Sequence, residues 1–127
     1  MEQNDDINQS RKLGIRGEEL SVNYLQGKGY KILNRNWHYG HKELDIVAKD
    51  KSMLVIVEVK TRTHGYWEEP RDAVKRKKQK YIVEAADAYV QKYKIEAEVR
   101  FDIISVIWNN DKYTIEHIED AFYPTLQ

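Results

Sequence analysis

Asp45, Glu58 and Lys60 are the residues around which this sequence can build chemistry. Between them lie two short apolar runs, Ile46-Val47-Ala48 and Met53-Leu54-Val55-Ile56-Val57, separated by the polar stretch Lys49-Asp50-Lys51-Ser52. Two apolar runs around a polar turn read as a β-hairpin. With Lys51-Ser52 as a two-residue loop, Asp50 faces Met53, Ala48 faces Val55, Asp45 faces Glu58 and Glu43 faces Lys60. Side chains alternate along a strand, so Glu58 and Lys60 share one face and Val59 takes the other. Directly opposed residues have Cβ atoms about 4.5–5.5 Å apart. The register therefore gathers two carboxylates and an ammonium at one end of an apolar hairpin.

Like charges opposed on a sheet repel. The valines and isoleucine around Glu58 make an unpaired carboxylate there costlier still. A divalent cation turns that repulsion into ligation: Mg²⁺ takes carboxylate oxygens at about 2.0–2.1 Å and keeps waters or substrate phosphate in its other positions. The same spacing is open to a plainer reading, a solvated hairpin end in which Glu58 pairs with Lys60 or Lys42.

Other elements must position this patch. Leu13 to Lys28 reads as a helix with Leu13, Leu20 and Tyr24 on one stripe, broadened by Ile15, Val22 and Leu25. Gly27 and Gly29 supply the stop. Gly14 and Gly17 are unfavourable in a helix interior, so either the helix starts near Gly17 or something packs closely on that face. Glu18 stands four residues before Val22 and can point inward. Tyr30 to Trp37 reads as the first strand, 38–41 as a loop, and the hairpin as strands two and three. Thr61 to Arg71 reads as a second loop. Asp72 is placed to cap a long helix to about Tyr93, with Val74, Tyr81, Ile82, Ala85 and Tyr89 as its core stripe. Glu98 to Trp108 reads as a strand, Asn109-Asn110-Asp111 as a turn, and Lys112 to Ile118 as a last strand. A helix after strand three is long enough to return the chain parallel. The expectation is an α/β fold with a mixed central sheet and helices packed on it.

Composition narrows the class. At 127 residues the chain is large enough for one domain with a sizeable core, expected over residues 13–127 behind a flexible tail of residues 1–12. That polar, acidic start does not read as a signal peptide. Lysine plus arginine equals aspartate plus glutamate at 21 each, so only local clustering can point to a polyanionic partner. The absence of cysteine excludes disulfides, thiol catalysis and cysteine-bound zinc, and fits an expected location in the cytoplasm. No apolar run is long enough to span a bilayer, so no membrane partner is expected. A homodimer is compatible with the sequence.

Local clustering does occur. Arg71, Lys75, Arg76, Lys77, Lys78 and Lys80 crowd ten residues with one acid, Asp72. Most of these charges read as a solvated face. Lys78 differs, because it stands four residues from both Val74 and Ile82 and must snorkel or reach a buried anion. Trp37, Tyr39, Tyr66 and Trp67 could stack on exposed bases or simply cover the edge of the core. His38 and His41 have a spacing compatible with zinc, but no carboxylate or thiol completes a recognisable set. No phosphate-cradling glycine loop or serine nucleophile motif is present.

A set of short segments, in order and spacing, resembles a known family. They are Gly14-Ile15-Arg16-Gly17-Glu18, Tyr24-Leu25, Gly29-Tyr30, Arg35-Asn36-Trp37, Glu43-Leu44-Asp45-Ile46-Val47-Ala48, Val57-Glu58-Val59-Lys60-Thr61-Arg62, Ala73-Val74 with Lys78-Gln79, and Arg100-Phe101-Asp102. Over about residues 13 to 107 the chain resembles the YraN-like family of small bacterial proteins. That family in turn resembles Holliday-junction resolvases and the restriction-endonuclease-like PD-(D/E)xK superfamily. The resemblance implies an αβββαβ core, here with an extra C-terminal strand. It implies a nuclease-like domain that hydrolyses phosphodiesters of DNA, branched DNA included, with Mg²⁺ or Mn²⁺. It implies Asp45 and Glu58 as metal ligands, Glu18 as a more distant acidic member, and the Val59 carbonyl as a further ligand. Lys60 would position or activate the attacking water, or neutralise charge developing on the phosphate. Lys78, Gln79, Arg62 and Lys75 are the expected nucleic-acid contacts. Two positions depart from the pattern: Lys42 stands where the family usually has glycine, and Leu44 where the wider motif often has proline. A nucleic-acid-binding module that does not cut, and a scaffold or partner-binding protein with a vestigial acidic patch, are the other two readings open at this point.

Overall fold

The structure is a computed structural model that describes residues 2–65 and 68–124; the side chains of residues 2–7, 70 and 71 are outside the description, as are Tyr66 and Trp67. Helix α1 (Glu2–Gly27) leads into strands β1 (Lys31–Tyr39), β2 (Lys42–Asp50) and β3 (Met53–Thr63). A short 3-10 turn (Pro70–Ala73) precedes helix α2 (Arg76–Tyr93), followed by β4 (Val99–Asn109) and β5 (Lys112–Phe122). The five strands form one sheet in sequence order. Neighbours run antiparallel except β3 and β4, which run parallel because α2 carries the chain back across the sheet. This is the expected αβββαβ core plus a C-terminal strand.

Each helix covers one apolar surface of the sheet. Val22 and Leu25 of α1 pack with Ile46, Ala48, Val55, Val57, Ile104 and Val106. Ile82, Ala85, Ala86 and Tyr89 of α2 pack with Leu44, Val47, Leu54, Ile56, Phe101 and Ile103. The central strands β3 and β4 are consequently buried on both faces over most of their length, which explains their unbroken apolar runs.

Several boundaries differ from the sequence reading. Helix α1 begins at Glu2, well before Leu13, and Ile15 is exposed rather than part of the inner stripe. Its buried face is narrow because Gly17 and Ser21 let the helix lie close to the sheet. A Cβ at Gly17 would collide with Thr61 Oγ1, and Ser21 Oγ donates to the Gly17 carbonyl at 2.8 Å. Close packing is therefore the reason for Gly17. Asp72 does not cap α2: it lies in the 3-10 turn, and the residue preceding the helix is Lys75. Strand β1 continues through His38 and Tyr39, leaving only Gly40-His41 as the turn.

A charged network ties β4 to β5. Asp102, fully buried, accepts from Arg100 Nε and Nη2, both at 2.9 Å, and from the Asp120 N–H at 3.0 Å, and lies 2.7 Å from His117 Nε2. Burial opposes the charge, but these hydrogen bonds win and hold the Asp102 carboxyl below its usual range. The contact to Asp120, which has φ 56°, sits where the β4–β5 register shifts, so Asp102 fixes that irregularity.

Candidate functional site

The β2–β3 ladder has the register expected from a two-residue loop, with Asp50 opposite Met53 and Ala48 opposite Val55. Its last backbone pair is Ile46 with Val57. Beyond it the strands part, and two carboxylates replace the ladder. Asp45 Oδ2 accepts from the Val59 N–H at 2.9 Å, and Glu58 Oε2 accepts from the Asp45 N–H at 3.4 Å. Each acid thus turns one oxygen toward backbone and keeps the other for a different partner. Leu44 packs in the core under α2 while Ile46 packs under α1, so strict alternation breaks at Asp45. Opposite it on β1, Asn36 adopts φ 50°, a left-handed conformation that a short polar side chain tolerates. The irregularity lets Asp45 sense groups from both helices.

Glu58 is only 2% exposed. Burial first, and the Asp45 charge second, push its carboxyl up to about 8 against the relief offered by Lys78. Asp45 is raised by burial as well, with the Val59 N–H, Lys78 and Lys60 opposing and Glu43 adding to the rise. Lys60 is driven the other way: burial and the nearby Lys78 and Arg62 charges lower its pKa, while Glu58 and Asp45 resist. Asp45 and Glu58 thus come together through the Asp45 and Val59 N–H groups, and Lys60 lies near enough to feel both charges.

Glu18 faces the same region from α1. Burial and the Asp45 charge raise its pKa, and Arg35 and Asn36 counter them. Arg35 Nε stands 3.7 Å from Glu18 Oε1, beyond hydrogen-bond reach, and that oxygen is buried with no hydrogen-bond partner. The close approach at Gly17 places the next residue in this half-buried position.

From α2, Lys78 Nζ reaches to 3.5 Å from Glu58 Oε1, which explains a lysine on the edge of a buried stripe. It borders a groove of about 470 Å³ shared with Lys42, Asp45, Lys75, Lys77 and Tyr81. Of the other expected nucleic-acid contacts, Lys75 shares this groove, while Arg62 and Gln79 are engaged within the chain. Glu68 binds Arg62 Nη2 at 2.6 Å and approaches Lys75 Nζ at 3.5 Å. Gln79 Nε2 donates to the Val74 carbonyl at 2.9 Å and braces the start of α2. Of the aromatics, Trp37 takes the core-edge place that was one of its two readings, and Tyr81 leaves the place expected for it. Trp37 packs edge-on against Tyr89 at 5.1 Å, and Tyr81, expected in the core stripe, lies 36% exposed in the groove. His38 stands 4.0 Å from Glu43, and His41 meets Tyr81 edge-on at 5.9 Å, so the two histidines do not share a site.

The family model described as "Uncharacterised protein family UPF0102" matches residues 17–106, from the close-approach glycine of α1 to the middle of β4. The chain belongs to the UPF0102 family. A "UPF0102 protein" of Bacteroides thetaiotaomicron is 51% identical over 115 residues, covering 91% of this chain and 95% of the relative. One of Phocaeicola vulgatus is 48% identical over the same length and shares. Another, of Flavobacterium psychrophilum, is 48% identical over 111 residues, covering 87% and 93%. Both carboxylates and the lysine lie inside the matched segment.

Among the described residues, no three His, Cys, Asp or Glu side chains gather into a set that could hold a metal. The site is a two-carboxylate pair with Glu18 further off, and Val59 meets it through its N–H. The donor chemistry still suits a hard divalent cation. Two adjacent acids resist ionising together, each has an oxygen not bonded to backbone, and a third buried carboxylate oxygen nearby lacks a hydrogen-bond partner. Sequence reading missed Glu68 as the clamp on Arg62 and Lys75, and Arg35 and Asn36 as the groups holding Glu18. The Arg35-Asn36-Trp37 segment was a signal for the latter; Glu68 had none.

Proposed function

We propose that the chain is a metal-dependent nuclease-like protein that hydrolyses phosphodiesters of DNA, branched DNA included. The observation that carries this reading is the half-buried Asp45 beside the buried Glu58, both raised by burial and Glu58 further by the Asp45 charge, at the parted end of β2 and β3 near Lys60 and Lys78. A hairpin end with a purely structural role gains nothing from desolvating two like charges.

Asp45 and Glu58 would hold Mg²⁺ or Mn²⁺, with Glu18 behind them and the Val59 carbonyl as the remaining expected ligand. When bound, such an ion polarises the phosphate and lowers the pKa of its water. The chain's own groups do the rest. Glu58 must lose its proton to ligate, and its raised pKa makes that loss pH-dependent. Lys78 supplies the countercharge to Glu58 in the metal-free protein and is long enough to turn to a phosphate instead. Lys60 stands by the pair to offset charge developing on the phosphate or to orient the water. Lys75 and Lys77 line the groove and would follow the backbone charge, and Lys42 would do so on exchanging its partner Glu84 for a phosphate.

A second reading, a nucleic-acid-binding module that does not cut, draws support from the Lys78 contact and the backbone hydrogen bonds, which already satisfy part of each carboxylate. Cleavage separates the two. Linear and four-way-junction DNA incubated with the protein should be cut only with Mn²⁺ or Mg²⁺, and cutting should vanish in Asp45→Asn, Glu58→Gln and Lys60→Met. Metal-independent binding without cutting selects the module. Neither binding nor cutting leaves the scaffold role.

A further inference from the structure

We infer that Tyr81 is a stacking platform for an unpaired base, so that the groove selects single-stranded or splayed nucleic acid over intact duplex; this rests on the nucleic-acid reading above and names its substrate class. Tyr81 lies three residues after Lys78 on α2, and side chains so spaced are neighbours about 5–6 Å apart at Cβ. Lys78 touches Glu58. A phosphate drawn to the carboxylate pair and Lys78 therefore has its own or the next base within reach of the Tyr81 ring.

The ring is equipped for that contact. It is 36% exposed in a groove otherwise rich in cations. Lys42 Nζ lies 5.4 Å and Lys77 Nζ 6.0 Å from its centroid, near the outer limit of a cation–π contact, where attraction at an exposed site is weak. Lys42 Nζ is already held by the Glu84 carboxylate, and a phosphate offers Lys77 a stronger, charge-assisted partner, which leaves the ring face to a base. His41, edge-on at 5.9 Å, limits how the ring can turn. A base inside a duplex is already stacked on both faces, so only an unpaired one can use the platform. Tyr39 is 51% exposed but does not line the groove, and serves as a control.

The test measures binding by fluorescence anisotropy to one labelled oligonucleotide, single-stranded and as a blunt duplex, at one fixed salt concentration and without added metal. Wild type should prefer the single strand. Tyr81→Ala should lose about tenfold on the single strand, the scale of one lost base–aromatic stack, and less than twofold on duplex. Tyr81→Phe and Tyr39→Ala should match wild type. Tyr81→Leu keeps apolar bulk without a π face and should behave like Tyr81→Ala, which covers the case in which alanine unfolds the helix. Equal losses on both DNAs, or none, overturn the platform while leaving the proposed function standing wherever wild type binds. Wild type that binds neither DNA overturns the platform and the reading beneath it together.

Discussion

Glu58 links protonation to folding. Its carboxyl titrates near 8 in the folded chain against an ordinary value of 4.5. Between those values the native state binds more protons than the unfolded state, so stability falls as pH rises through the window and levels off above it. Glu58→Gln removes the titration. Without added metal, its melting temperature should decline less than wild type between pH 5 and 8.5, by several degrees, in paired thermal melts; parallel declines would contradict the burial argument. Lys78 is the second residue-scale test. Its ammonium faces Glu58, whereas Lys80 is exposed and does not line the groove. At one salt concentration, Lys78→Met should weaken DNA binding several-fold more than Lys80→Met does. The sequence made Lys78 legible through its place on the apolar stripe. It gave no comparable signal for Glu68, because a loop acid can reach its partners only through a path the chain's periodicity does not encode.

At the scale of elements, the two early glycines of α1 have different reasons. Gly17 lies against Thr61, so Gly17→Ala should cost about 1–3 kcal/mol through overpacking, with recovery in the Gly17→Ala/Thr61→Ala double variant. Gly14 has no atom within 4 Å of an added Cβ, so Gly14→Ala should stabilise by up to about 1 kcal/mol through helix propensity. Denaturant midpoints for the three variants check both. The hairpin was legible because period-2 alternation and a short polar turn fix a register. The break in that alternation at Asp45 was not, since it depends on Asn36 opposite, on another strand, taking φ 50°. The start of α2 was misread because Asp72 is a good capping residue by type, and the 3-10 turn that absorbs it ends at Ala73. Tyr81 was misread because helical periodicity places it at the margin of the buried stripe, where the groove rather than the core claims it.

Across the whole molecule, equal numbers of acids and bases conceal an uneven distribution: Lys42, Lys75, Lys77 and Lys78 share one groove, and acids such as Glu96, Glu98, Asp111 and Glu116 lie elsewhere along the chain. The element order and the parallel return through α2 were legible from local pattern, because each element's apolar period agrees with the layer it occupies. Which carboxylate oxygens meet which N–H groups required the structure. The central claim is that the parted end of β2 and β3 is built for a divalent cation, and thermal melts with and without Mn²⁺ test it most directly. Wild type should gain stability with added Mn²⁺, by about 2.7 kcal/mol at a free concentration one hundred times the dissociation constant. At pH 8.5, where Glu58 is ionised, Asp45→Asn should keep the fold, melt at or above wild type without metal because one of two repelling charges is gone, and gain little from Mn²⁺. Equal melting of wild type with and without Mn²⁺, together with a destabilised Asp45→Asn, would contradict the metal site and leave Asp45 and Glu58 as a purely structural end to the hairpin.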